Sequence, residues 1–242
     1  MIDDFSDLRA LCAPDGDRQR GWAFVRELTS TLGRPLTDGD GIDTDLLRAA
    51  EDRLGYPLPA ALREAYLLFG RRRDLTAAQD ELVWPQNLTT APEGVLVFRV
   101  EAQHCASWGV PEQAVGQDDP PVLVNNGDGW EPYSDRLSIA LVEMVMSEAM
   151  FGADEHNVDN RDLDEDAAAA VAAAFEPVPL PTLPFWAGMD GPGVRWLAGP
   201  EVLLRDDGGV WLWVHGRTPA AVQPVREQVP GDWLSGPDYD ED

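Results

Sequence analysis

The sequence predicts an α+β fold in which helices pack against a mostly antiparallel β-sheet. Two observations indicate this class: residues 42–70 have the apolar spacing of two short amphipathic helices, and short apolar segments bounded by turn residues follow them. Further helices are expected at residues 18–32 and 137–150. The chain has 242 residues, of which 44% are hydrophobic, so it can bury a substantial core.

The two helices at residues 42–70 can be delimited by their end signals. Asp43 is a natural N-cap for the first helix, and Ile42 before it can pack against Leu47 as a hydrophobic staple. Gly55 suits the left-handed residue that ends a helix, and Pro59 suits the first turn of the next one. The second helix has four apolar residues at helical spacing: Leu62, Ala65, Tyr66 and Phe69. We therefore expect a helical hairpin that packs against the sheet.

Composition divides the chain into four segments. Residues 1–41 form an N-terminal helical extension, and residues 42–151 form the core. Residues 152–184 hold an acidic, alanine-rich helix and then a proline-rich connector that is expected to be extended. Residues 185–242 hold a C-terminal β-hairpin region, assigned to the same domain, and an acidic tail at 238–242 that is expected to be disordered.

The C-terminal region has the pattern of a β-hairpin and its neighbours. Three strands are expected, at residues 194–197, 202–205 and 210–214. They either extend the main sheet or fold separately, and residues 220–225 are expected to form a short edge segment. Trp211 and Trp213 alternate with aliphatic residues and so share one face of the last strand. That face is either buried in a core, which we favour, or is an exposed strip that binds a partner.

The order of motifs in residues 42–151 resembles the SUKH superfamily. The matching motifs are a helix with RLGYPLP at 53–59, a second helix, Trp84-Pro85, VLVFRV at 95–100, Trp108-Gly109, DPPV at 119–122, Trp130 and the helix at 137–150. The superfamily includes regulators of yeast cell-wall synthesis and many bacterial immunity proteins. The resemblance implies a SUKH-like fold and a role in binding other proteins.

The charge of the chain limits its partners independently of any family. There are 44 acidic residues against 18 basic ones, all arginine, and the formal net charge is −26. Binding to DNA or RNA depends on basic side chains that release counterions, so the acidic excess argues against a nucleic-acid-binding role. Binding to an anionic membrane is disfavoured for the same reason. An acidic surface favours rapid, steered association with a basic macromolecule.

The sequence has few residues in patterns typical of catalytic or metal-binding sites. The three histidines, His104, His156 and His215, are far apart in sequence, and the two cysteines are too few for a metal cluster. Residues 125–131 resemble part of a calcium loop, but Asn-Gly followed by Asp-Gly favours a turn between two strands. We expect no catalytic residues, metal or cofactor, and a cytoplasmic protein, since the start of the chain lacks the features of a signal peptide.

Two functions are consistent with these observations. The first, implied by the resemblance, is an immunity protein that binds and neutralises a cognate bacterial toxin domain acting on nucleic acid, whose basic groove an acidic protein can occupy. The second is a housekeeping scaffold or regulator related to the cell-wall regulators. Partner-binding residues are expected among acids and aromatics in the turns of the core, and these candidates are Asp118, Asp119, Asp128, Trp130, Glu131 and Tyr133. The oligomeric state is left open.

Overall fold

A computed structural model describes Ile2 and residues 4–235. Its helices and two antiparallel sheets confirm the predicted α+β class. The acidic tail predicted at 238–242 lies outside the described residues.

The helices and strands follow each other in this order along the chain. The helices are α1 (Ser6–Cys12), α2 (Arg18–Thr31), α3 (Thr44–Leu54), α4 (Ala60–Phe69), α5 (Arg73–Thr76), α6 (Leu137–Phe151), α7 (Glu165–Ala174) and α8 (Pro219–Gln228). The strands are β1 (Asp80–Leu82), β2 (Thr89–Ala91), β3 (Val95–Glu101), β4 (Ser107–Pro111), β5 (Val122–Asn125), β6 (Trp130–Ser134), β7 (Val158–Asp162), β8 (Glu176–Pro177), β9 (Val194–Gly199), β10 (Val202–Asp207) and β11 (Trp211–Gly216).

The helical hairpin of α3 and α4 has the predicted boundaries. Gly55 ends α3 in the left-handed conformation, with φ of 83°, and Pro59 directly precedes α4. The expected side-chain cap is absent: Asp43 occupies the N-cap position of α3, but its Oδ2 lies 2.5 Å from Arg71 Nη2 instead. An ion pair therefore replaces the capping hydrogen bond, while the hairpin buries its apolar faces as expected.

The first sheet has the order β1-β3-β4-β5-β6, and β2 pairs with the same edge of β3 as β1 does. The register between β3 and β4 shifts between Val97 and Arg99, which is a β-bulge. A bulge changes the direction of the side chains that follow it. Both Phe98 and Arg99 are consequently buried, and a charged side chain enters the interior from the middle of this sheet.

The C-terminal strands form a sheet of their own, with the order β7-β11-β10-β9-β8. This resolves the alternative that the sequence left open. The prediction of an edge segment at residues 220–225 is wrong, because these residues lie within α8. Pro219 is in the first turn of this helix, a position that proline favours. β7 was not predicted: its charged sequence, VDNRD, lacks the apolar alternation typical of a strand.

Helix α6 is the central element of the fold. Residues 137–150 are all buried, and α6 contacts α2, α4, α5 and β6. The second sheet presents one face, including Trp196 and Leu203, to this main core and the opposite face, including Leu204 and Val214, to a second apolar cluster beneath α7 and α8. A helix buried all round has no amphipathic pattern, and α6 accordingly has apolar residues on every side, interrupted by Ser138, Glu143, Ser147 and Glu148.

Candidate functional site: an acidic loop surface

The turn between β5 and β6 is a strand-to-strand turn, as the sequence predicted. Asn125 and Trp130 pair across it, and Asn125 Oδ1 accepts a hydrogen bond of 2.8 Å from the backbone N–H of Gly127. Gly127 and Gly129 have φ of 106° and 120°, which side chains with a Cβ rarely adopt. The glycines thus close the turn and leave Asp128 exposed between them.

Two segments remote in sequence connect with this turn in succession. Asn126 Nδ2 donates a hydrogen bond of 3.1 Å to the backbone oxygen of Trp186, and the backbone N–H of Gly208 donates one of 3.1 Å to the backbone oxygen of Gly193. These contacts join residues 184–193 to the turn at 125–131, and residues 207–211 to residues 184–193. We refer to the three segments together as the loop surface.

The loop surface combines uncompensated acids with exposed apolar side chains. Asp128, Glu131 and Asp190 are exposed, and within the described residues none of the three lies in an ion pair. The three segments contain no arginine or lysine. Trp211 is 41% exposed and Val210 is 52% exposed. Acids beside an exposed indole are suited to binding a basic protein surface.

The sequence-predicted binding residues divide between two ends of the first sheet. Asp128, Trp130 and Glu131 belong to the loop surface, where Trp130 is half-buried. Asp118 and Asp119 precede the opposite end of β5, and the structure does not bring them to the loop surface.

Asp118 and Asp119 hold helix starts in place. The backbone oxygen of Asp118 accepts a hydrogen bond of 2.9 Å from Ala61 in α4, while its side chain is 78% exposed, 3.6 Å from Arg18. Asp119 accepts hydrogen bonds from the backbone N–H and the hydroxyl of Ser138, at 2.7 and 2.6 Å, and so caps α6. Asp119 therefore has a structural partner for each oxygen.

Tyr133 is buried and offers no surface to a partner. Its side chain lies in the core next to Trp108, with ring centroids 6.0 Å apart, and its hydroxyl donates a hydrogen bond of 3.2 Å to Glu143. Burial raises the pKa of the Tyr133 hydroxyl well above its ordinary value, and the Glu143 carboxylate adds to the rise. The hydroxyl is consequently a permanent donor to Glu143.

Sequence reasoning missed Trp186 and Asp190, and it favoured a buried face for Trp211 and Trp213. The structure divides that pair: Trp211 is exposed on the loop surface, whereas Trp213 is half-buried and packs edge-on against Phe151 with ring centroids 5.0 Å apart. The fully buried side chains of β11 are those of Leu212 and Val214. The alternation of side chains along the strand predicts that the two indoles share one face. Which of them is buried depends on the position of α6, whose Phe151 covers Trp213.

A buried ionic network lies behind the loop surface, between the two sheets. Its members are Asp80, Arg99, Glu143, Glu148, Arg205 and Asp207, each less than 9% exposed. Arg99 Nη2 lies 2.6 Å from Asp80 and 3.7 Å from Glu148, and Arg99 Nη1 lies 3.5 Å from Glu143. Arg205 Nε lies 2.8 Å from Asp207. Aromatic faces complete the enclosure, with Trp108 4.4 Å from the Arg99 guanidinium carbon.

Four carboxylates share two guanidinium groups in this network. The pKa of one carboxyl group is lowered, and the pKa values of the other three are raised. Burial works against ionisation of Glu143, but Arg205 and Arg99 outweigh it and lower the pKa of Glu143. Burial raises the pKa of Asp80, Glu148 and Asp207, and the arginines offset it only in part. Perturbed pKa values can mark active sites. Here every charged member is buried, and the members come from both sheets and α6, so we assign the network to the core.

Two further observations concern the described residues. Among them, the acidic, histidine and cysteine side chains form no group of three or more that could hold a metal ion. No helix in residues 4–235 is long and apolar enough to cross a bilayer.

Comparisons with known proteins return no match for this chain: no family model, no curated protein and no solved structure is similar to it. The resemblance to the SUKH superfamily therefore stays a prediction from the order of its motifs.

Proposed function

We propose that the chain is a non-enzymatic protein-binding module that acts as an immunity protein, binding and neutralising a bacterial toxin domain that acts on nucleic acid. The observation that carries the proposal is the loop surface, whose three segments hold unpaired acids and an exposed tryptophan. The site would occupy the basic groove of the toxin in place of the phosphate backbone.

The loop surface differs from the other acidic parts of the described chain in its exposed aromatic side chain, since Trp211 is 41% exposed. Some exposed acids elsewhere are paired, as Asp45 is with Arg48 at 2.9 Å, whereas Asp38 and Asp52 are exposed and lie in no ion pair among the described residues. On the loop surface Asp128, Glu131 and Asp190 are unpaired, and Asp207 is buried 2.8 Å from Arg205. A cleft or patch of one sign raises the association rate with an oppositely charged partner by roughly 10- to 1000-fold at low salt.

The exposed indole supplies the second part of the proposed contact. Interface energy tends to concentrate in a few buried anchors, and tryptophan is enriched among them. Trp211 is the first residue of β11, pairs with Asp207 and is exposed, and we propose that a toxin docked on the acids also buries this indole. We further propose a cytoplasmic location, where such a toxin would meet its nucleic-acid substrate.

The proposal predicts that a neighbouring gene encodes a toxin domain that acts on nucleic acid, and it is tested with that domain. Binding of the purified toxin domain is measured by calorimetry at low and high salt for the native chain, for the charge-reversed variant Asp128→Arg/Glu131→Arg, and for Trp211→Ala. We expect native binding to weaken with salt, the charge reversal to weaken it at least about tenfold, and Trp211→Ala to weaken it by a similar factor. Toxin activity on nucleic acid should recover in parallel.

The matched control is Asp38→Arg/Asp52→Arg, which changes the net charge equally at exposed acids outside the loop surface. If this control weakened binding as much as the loop-surface variant, general charge and not this surface would be responsible. If the native chain bound the toxin equally well at all salt concentrations, the phosphate-mimic mechanism would be wrong. A stable native partner without any action on nucleic acid would support the housekeeping function instead.

A further inference from the structure

A small cavity lies where α2, α5, α6 and the end of β11 meet, apart from the loop surface. Its volume is about 40 Å³. One water needs about 10–15 Å³ of such space, so the cavity has room for roughly three waters or a single phosphate group. Its charged and titratable lining residues come from separate parts of the chain and are Arg34, Arg72, Asp74, Asp154, His215 and Arg217. We call it the arginine pocket.

The two carboxylates of the arginine pocket already have partners. Asp74 accepts hydrogen bonds of 2.8 Å from both Nε and Nη2 of Arg72, a bidentate pair that fixes one wall. Asp154 Oδ1 accepts a hydrogen bond of 3.0 Å from the backbone N–H of His156. Asp74 is therefore paired with Arg72, whereas Asp154 is exposed and accepts this backbone hydrogen bond at one of its two oxygens.

Arg34 and Arg217 form longer polar contacts than Arg72 does with Asp74. Their side chains are 51% and 54% exposed. Arg34 Nη1 lies 3.5 Å from the backbone oxygen of Gly152 and 3.8 Å from Asp74, and Arg217 Nη1 lies 3.5 Å from Glu201. Ordinary N–H···O hydrogen bonds are about 2.7–3.2 Å long, and each guanidinium has about five N–H donors. Both side chains thus retain donors for a ligand at the mouth of the pocket.

His215 forms part of the inner wall. It is 5% exposed, and burial together with the nearby Arg34 lowers its pKa to about 4. The imidazole is therefore neutral at neutral pH and can donate one hydrogen bond. A bound anion would counteract the effect of Arg34 and favour the imidazolium.

We propose that the arginine pocket binds a phosphate group, either as inorganic phosphate or as the end of a small phosphorylated molecule, through Arg34, Arg217 and His215. The pocket gathers three of the 18 arginines of the chain, and although Asp40 pairs with Arg72 and Glu201 with Arg217, the guanidinium groups of Arg34 and Arg217 keep unused N–H donors. The donors come from two parts of the chain, with Arg34 after α2 and with His215 and Arg217 at the end of β11, and several N–H donors together suit the oxygens of a phosphate group. The site is independent of the proposed toxin-binding function.

The test is an NMR titration of the histidine side chains of the full chain with inorganic phosphate, with glycerol 3-phosphate, and with acetate at equal ionic strength. We expect phosphate to shift the His215 resonances and to raise the pKa of His215 above about 4, with little effect on the exposed His104 and His156. Arg34→Ala and Arg217→Ala should each weaken phosphate binding about tenfold. Tighter binding of glycerol 3-phosphate than of phosphate would identify a phosphorylated molecule as the ligand, and the reverse would identify free phosphate.

The matched control is Arg48→Ala, which removes an arginine that is 66% exposed on α3. It should leave phosphate binding unchanged. Circular dichroism checks that the variants are folded, and the titration of the native chain remains decisive if one is not. The proposal would be overturned if phosphate shifted all three histidines equally, if acetate matched it, or if Arg48→Ala weakened binding as much as Arg34→Ala.

Discussion

Glu148 shows at the scale of one residue how the fold accommodates a buried charge. Its side chain is fully buried on α6 and accepts hydrogen bonds from three consecutive backbone N–H groups, at 2.7 Å from Ala78, 2.7 Å from Gln79 and 3.1 Å from Asp80. Burial raises its pKa, and Arg99 only partly offsets this. The carboxylate thus ties the central helix to the entrance of β1.

We predict that Glu148→Ala lowers the free energy of unfolding by about 3 kcal/mol or more, because it leaves three buried backbone donors unpaired. Glu148→Gln keeps one carbonyl oxygen as an acceptor and should lower the free energy of unfolding by less than Glu148→Ala does. Urea unfolding followed by circular dichroism measures both. The exposed Glu27→Ala on α2 serves as the control and should stay within about 0.5 kcal/mol of the native chain. A loss of under about 1 kcal/mol for Glu148→Ala would show that the carboxylate does not organise this segment.

At the scale of secondary-structure elements, the ends of α3 and α4 illustrate how far local signals determine structure. Gly55 ends α3 at φ of 83°, and a Cβ at this position would meet no atom within 4 Å. Any effect of a side chain there is therefore conformational rather than steric. Gly116, in the loop before β5, also has open space where a Cβ would lie, but it is not in the left-handed region.

We predict that Gly55→Ala lowers the free energy of unfolding by about 1 kcal/mol, because alanine is strained in the left-handed conformation. Gly116→Ala is the matched control. It should leave the free energy of unfolding unchanged or raise it by up to about 1 kcal/mol, because alanine lowers the conformational entropy of the unfolded chain. Thermal unfolding of the two variants side by side gives the difference. Equal effects at both positions would mean that the helix end does not depend on the left-handed residue.

The elements that the sequence predicted are those with local causes. The helical hairpin follows from a glycine, two prolines and apolar spacing, and the hairpin of β10 and β11 follows from Asp-Asp-Gly-Gly between two apolar runs. α8 was misread because Pro224 lies inside it and its apolar pattern is short. The bulge that turns Arg99 inward has no local sequence signal. It depends on pairing with β4 and on the carboxylates of α6.

At the scale of the whole molecule, the candidate site is a product of tertiary structure. Asp128, Trp130 and Glu131 could be proposed from sequence because they share one turn. Trp186 and Trp211 lie far along the chain and reach the same surface only because the second sheet packs across α6. Asp119 and Tyr133 have the same chemistry as the exposed candidates, but the fold uses them for a helix cap and a core hydrogen bond. Whether a side chain is exposed depends on the whole tertiary structure, so the sequence around these candidates could not predict it.

The charge of the whole molecule leads to a prediction about salt. Of the 18 arginines, 15 lie within 4 Å of a carboxylate, so most of the positive charge is already paired, and most acids among the described residues lie in no ion pair. Exposed ion pairs contribute only about 0–1 kcal/mol each. Self-repulsion at a net charge of −26 opposes the compact state over longer distances. Screening should therefore remove more repulsion than attraction.

We predict that raising NaCl from about 10 mM to about 150 mM, which shortens the Debye length from about 30 Å to about 8 Å, stabilises the fold. A gain of about 1 kcal/mol corresponds to roughly 3 °C in melting temperature for a chain of this size. The control is a variant with three exposed acids neutralised, Glu27→Gln/Asp38→Asn/Asp52→Asn, whose melting temperature should rise less with salt because it begins with less repulsion. Differential scanning calorimetry measures both series. A melting temperature that fell with added salt would mean that the ion pairs, and not the acidic excess, dominate the electrostatics of the folded chain.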